Sequence, residues 1–146
     1  MPTLGAARSL PPVNDSVRPS ERIVEQRLRN RAMEALDPLS KGGDGVREFG
    51  VVEYVEQFFD VISDDAPWHW RTWSCFTPAE VGGLDEVHRI LVAACEATRG
   101  VDAPDAFIAS GWPDRLQPVA VAALTVMNQR GRFSEDVEEV EPSPLG

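Results

Sequence analysis

Few side chains in this sequence stand at spacings that support chemistry. Asp85-Glu86-Val87-His88 places a carboxylate and an imidazole at i,i+3 on one helical face, and Glu53, Glu56 and Asp60 recur at helical spacing upstream. Carboxylate-bridged di-metal bundles need two Glu-x-x-His units plus two further glutamates. This chain offers one Asp-x-x-His, and its other histidine, His69, falls in a loop. A helical-bundle metalloprotein or enzyme using Asp85, His88 and the helix carboxylates is therefore the alternative reading. The simpler one is a boundary histidine above a solvated acidic face, and no metal or cofactor is expected. Cys75 follows His69 closely, and a Cys–His pair lowers a thiol pKa. A small buried cysteine beside Phe76 explains that position as well. Ser110-Gly111-Trp112 is not a nucleophile elbow, which requires Gly-x-Ser-x-Gly between strand and helix. Gly42-Gly43-Asp44-Gly45 lacks the Gly-Lys-Ser/Thr ending of a phosphate loop and reads as a flexible linker. Catalytic residues are not expected.

The aromatic stretch Pro67–Phe76 is more informative, because it holds Trp68, Trp70 and Trp73, three of the four tryptophans. Large aromatics most often pack inward. If extended, Trp68-His69-Trp70-Arg71 instead presents Trp68 and Trp70 on one side and His69 and Arg71 on the other. Trp and Arg are enriched at interface hot spots. The carboxylates Glu53, Glu56, Asp60, Asp64 and Asp65 lie just before this loop, and an acidic ridge beside aromatic residues suits a basic partner. The leading expectation is a non-enzymatic interaction protein. Its surface for a basic protein partner comprises Glu53, Glu56, Asp60, Asp64, Asp65, Trp68, Trp70 and Arg71. A homodimer that buries the tryptophan loop is a further alternative.

Helices must position these groups. Ser20 is a good N-cap for a first helix, with Val24, Leu28, Ala32 and Leu36 on its buried face, Glu25 and Arg29 paired at i,i+4, and Asp37-Pro38 at its end. Arg27, Arg29 and Arg31 read as a small solvated basic cluster. Phe49–Ile62 has a wide apolar face, interrupted only by Glu53, Glu56, Gln57 and Asp60, and is expected to be the central helix. Thr77-Pro78-Ala79-Glu80 predicts a capping box opening a third long helix through Arg99. A short helix is predicted after Asp102. A last one follows over about Pro113–Arg130, with Pro118 expected to kink or start it and Gly131 to close it. The fold class is all-α, a bundle of four main helices plus one short helix. Residues 1–19 read as a disordered or extended arm, 20–133 as one helical domain and 134–146 as an acidic disordered tail.

Composition narrows the functions. The 146 residues carry a formal net charge of −10, five of the negatives lying at Glu135, Asp136, Glu138, Glu139 and Glu141. That sign argues against nucleic acid as a partner. No apolar run approaches the ~20 residues of a membrane span, so no membrane partner is expected. Two cysteines without metal spacing, and no charged n-region leading into an apolar h-region, make a cytoplasmic location the expectation. Glu21–Arg31 and Arg130-Gly131-Arg132-Phe133 resemble segments of small uncharacterised bacterial all-helical proteins, some with toxin-immunity roles. The resemblance transfers no catalytic residues. It implies, as the concrete form of the leading expectation, a small, rigid, acidic inhibitor of a cationic toxin site.

Overall fold

The computed structural model describes residues 18–64 and 69–139, and all of its regular structure is helical. Helix α1 spans Glu21–Ser40. Ser20 opens it by accepting the Ile23 N–H at 3.1 Å. The predicted stop at Asp37-Pro38 comes too early: Pro38 lies within the last turn, where its burial and that of Leu39 hold the helix for another two residues. Helix α2, Gly43–Phe59, begins almost at once, so the glycines are not a flexible linker. A Cβ on Gly45 would lie 2.0 Å from the Pro38 carbonyl oxygen. Gly45 is there because two backbones meet, the close approach that only glycine permits. At Gly50 (φ 82°, ψ 160°) α2 leaves helical geometry and is broken into two segments.

The Trp70–Thr72 3₁₀ turn leads to α3, Pro78–Ala97. Its capping box is complete: Glu80 N–H donates to Thr77 Oγ1 and Thr77 N–H donates to Glu80 Oε1, each at 3.1 Å. Helix α4, Pro104–Ala109, is the short one, and α5, Trp112–Asn128, runs without interruption through Pro118.

The all-α bundle is as expected, but its centre is elsewhere. Helix α5 packs along both α1 and α3, while α2 packs mainly against α1 and α4. The α2 helix thus sits to one side. Tyr54, Phe58 and Ile62 are buried, yet Val52 of the predicted apolar face is 68% exposed. Val52 stands in the first turn after the break at Gly50, at the edge of the face that Tyr54, Val55 and Phe58 bury. Leu36, Leu84, Leu91, Leu116 and Met127 fill the layer between α1, α3 and α5. None of the described helices is long and apolar enough to cross a membrane.

Candidate functional site

The tryptophan loop forms a 3₁₀ turn, so the two-residue alternation of an extended segment does not apply there. Trp70 points inward and is fully buried, edge-on to Phe76 at 6.2 Å, which corrects its assignment as a surface contact. Trp73 stacks on Phe76 at 5.7 Å and is half-buried. Asp65 and Trp68 lie outside the described residues. The remaining member, Arg71, covers the outer side of the turn, its guanidinium 4.5 Å from the Trp70 ring centroid.

From that position Arg71 donates Nη1–H to Asp64 Oδ1 at 2.7 Å and Nη2–H to Asp85 Oδ1 at 2.6 Å. His88, nearly buried on α3, stands with Nδ1 3.9 Å from Asp64 Oδ2 and its ring edge-on to Phe59. Asp64 and Arg71 from the expected partner surface thus meet Asp85 and His88 from the metal alternative. The hydrogen bond from Arg71 outweighs the opposing effect of burial and holds the Asp64 carboxyl below its usual range. The same two carboxylates raise the guanidinium pKa, first through the bond to Asp64. Asp64, Asp85 and His88 would be the donor set of a cation site, but the two carboxylates hold the protein's own guanidinium. Among the described residues no group of three or more His, Cys, Asp or Glu side chains is arranged to hold a metal ion. An open groove of about 380 Å³ adjoins this cluster, lined also by Glu86 and Arg89.

Glu53, Glu56 and Asp60 stand apart from the cluster, on the outer face of α2. All three are exposed and make no ion pair among the described residues. Exposed Val52 lies on the same face, one turn before Glu56.

Sequence reasoning missed a buried polar group that ties α1, α3 and the end of α5 together. Arg29 is fully buried rather than solvated, and it reaches across to α3 instead of pairing with Glu25. Its Nη2 meets Glu80 Oε2 at 2.8 Å, and the opposite side of Glu80 receives Arg130 Nη2 at 2.6 Å. The surplus positive charge is met by carbonyls at the α5 C-terminus: Arg29 donates to Met127 O at 3.0 Å and Gly131 O at 2.7 Å. Burial pushes the Glu80 carboxyl upward. The hydrogen bonds of Arg130 and Arg29 overcome that penalty and leave its pKa below normal.

The Phe133 ring lies beneath three guanidiniums, those of Arg29, Arg130 and Arg22, at 4.5, 4.9 and 5.6 Å. Asn30 brackets the Phe133 backbone, donating to its carbonyl at 2.8 Å and accepting from its N–H at 3.0 Å. Residues 134–139 continue along α1. Gln26 donates to Ser134 O and Val137 O and accepts from the Glu139 N–H. A domain boundary at Phe133 therefore divides residues that the structure keeps together; 140–146 lie outside the described residues.

The thiol reading fails on geometry. Cys75 is buried, its Sγ–H faces the Glu25 carbonyl at 3.3 Å, and burial pushes its pKa to about 12. Such a thiol stays protonated at neutral pH, whereas catalysis needs the thiolate.

No family model matches this chain, and no curated protein or solved structure matches it. Glu21–Arg31 and Arg130–Phe133 meet in space, at Arg29, Gly131 and Phe133.

Proposed function

We propose that this protein acts by binding, without chemistry of its own, and that its partner is a basic protein. The observation that carries the reading is the outer face of α2 and its C-cap, where Glu53, Glu56 and Asp60 stand exposed beside Val52 with no ion pair among the described residues. Exposed carboxylates gain little within the chain but steer and orient a cationic partner. The valine supplies apolar contact at the N-terminal end of the stripe. A net charge of −10 adds a long-range field of the same sign. Immunity-type blocking of a cationic toxin site is the most concrete form of this activity. Trp70 contributes by supporting the loop from below.

The test is titration of the full chain against a panel of small basic proteins, cationic nucleases included. It is repeated with Glu53, Glu56 and Asp60 all changed to Lys. Submicromolar binding that weakens steeply with salt and disappears on charge reversal supports the reading. Equal binding by the reversed protein, or no binding across the panel, removes it.

A further inference from the structure

We infer that Trp70, Asp64 and Asp85 form a receptor for a guanidinium group, which Arg71 fills in the free protein and a partner's arginine takes over on binding. This rests on the basic-partner reading and names the side chain recognised. The geometry is that of an arginine site: an aromatic face below and a carboxylate on each side. The guanidinium is seated 4.5 Å over the Trp70 ring and hydrogen-bonded at 2.7 and 2.6 Å to two acids from different elements. A planar donor fork suits this arrangement, and an ammonium, a compact point charge, suits it poorly.

Three further observations separate this cluster from an ordinary surface ion pair. The floor is rigid: Trp70 is fully buried, and its indole N–H has no hydrogen-bond partner among the described residues. The plug is loose, because the Arg71 side chain is 42% exposed on a single 3₁₀ turn. The site also has an approach: the 380 Å³ groove runs beside Asp64, Arg71, Asp85 and His88, with room for an incoming chain. Arg71 can swing into that groove while a second guanidinium takes the same two carboxylates.

An internal competitor reduces apparent affinity by the fraction of time that it leaves the site open. If Arg71 occupies the cradle nine-tenths of the time, its removal strengthens arginine binding about tenfold. The experiment uses the full chain as wild type, Arg71→Ala, and Arg71→Ala combined with Asp64→Asn and Asp85→Asn. Each is titrated with N-ethylguanidinium and with ethylammonium, followed by tryptophan emission. A blocked Gly-Arg-Gly peptide and its lysine counterpart are then titrated in the same way. Arg71→Ala should bind the guanidinium probes about tenfold more tightly than wild type, should prefer them to the ammonium probes, and should lose them with the two Asn changes. Should Arg71→Ala loosen the turn, Arg71→Gln keeps one hydrogen bond there and should show the same order. Guanidinium binding no tighter in either variant than in wild type overturns the inference, as does binding indifferent to the Asn changes. The α2 charge reversal separates the two ideas. A basic protein that needs Glu53, Glu56 and Asp60, but binds wild type and Arg71→Ala equally, sinks the cradle and leaves the proposed function standing.

Discussion

Two ionic constellations in this protein are near mirror images. At the junction of α1, α3 and the end of α5, one carboxylate, Glu80, sits between two guanidiniums. On the outer side of the tryptophan loop, one guanidinium, Arg71, sits between two carboxylates. Bond lengths hardly distinguish them; burial does. Side-chain exposure is 0% and 1% for Arg29 and Glu80, against 42%, 54% and 52% for Arg71, Asp64 and Asp85. In the interior each ion has given up its hydration and depends on its partners, so the group is committed to the fold. At the surface water can replace any one partner at little cost, so the same bonds can be exchanged for those of another molecule. Similar chemistry therefore yields a structural lock in one place and a replaceable contact in the other.

The largest effect should come from Glu80→Gln. Glutamine still serves the capping box, so the change isolates the charge and leaves two guanidiniums facing one neutral amide. Removing one partner of a buried pair typically costs 3–5 kcal/mol, and about 4 kcal/mol is expected here from urea unfolding. The pH dependence supplies a second reading. Because the folded pKa of Glu80 lies below its ordinary 4.5, its stabilisation is complete above about pH 4.5. It is lost as pH falls through the folded value, and this part of the acid response should vanish in Glu80→Gln. A loss under 1 kcal/mol would mean that the buried group is no more committed than the surface one.

Phe133→Ala comes next. It removes the ring on which three guanidiniums lie, at an expected cost of about 3 kcal/mol, the lower end for a buried phenylalanine because this one is at the edge of the core. Hydrogen exchange adds a local signature. The Phe133 and Glu139 amides, held by Asn30 and Gln26, should lose protection together. Unchanged protection at Glu139 would show that the 134–139 segment is held independently of the buried group. Thr77→Ala should cost about 1 kcal/mol, the ordinary price of a lost N-cap. It tests whether Glu80's place in the lock is separable from its place in the helix start. A loss near that of Glu80→Gln would show that it is not.

What the sequence disclosed follows the same division. Local signals were legible: Ser20 and the Thr77–Glu80 box start helices where their side chains say they should. The apolar periods also predicted an all-α bundle. Signals that depend on a distant neighbour were not legible. Gly45 looks like linker until the Pro38 carbonyl is found against it. Arg29 looks solvated between Arg27 and Arg31, although it lies one turn before Met33 and two before Leu36, on their buried face. That phase is the one available clue, and it is a weak one because a charged residue is seldom buried. Of the expected surface, Asp64 and Arg71 do come together. Their link to Asp85 and His88 depends on how the loop folds back on α3, which no spacing encodes.

The smallest effect is the one that completes the comparison. Arg71→Gln removes the guanidinium from between Asp64 and Asp85, leaving two carboxylates in water-accessible positions. Exposed ion pairs typically contribute 0.2–1 kcal/mol, and the relief of an ordered side chain offsets part of that. The expected loss is therefore below about 1 kcal/mol, and it should shrink further in high salt because these charges are screened. Glu80→Gln should keep most of its effect under the same salt, since solvent ions do not reach a buried pair. A loss of 3 kcal/mol from Arg71→Gln, insensitive to salt, would place Arg71 in the fold alongside Arg29, and a residue so committed could not yield its seat to a partner. A small, salt-screened loss is what a replaceable contact requires: the bonds that hold Arg71 must be weak enough in water to break, and specific enough in shape for another guanidinium to remake them.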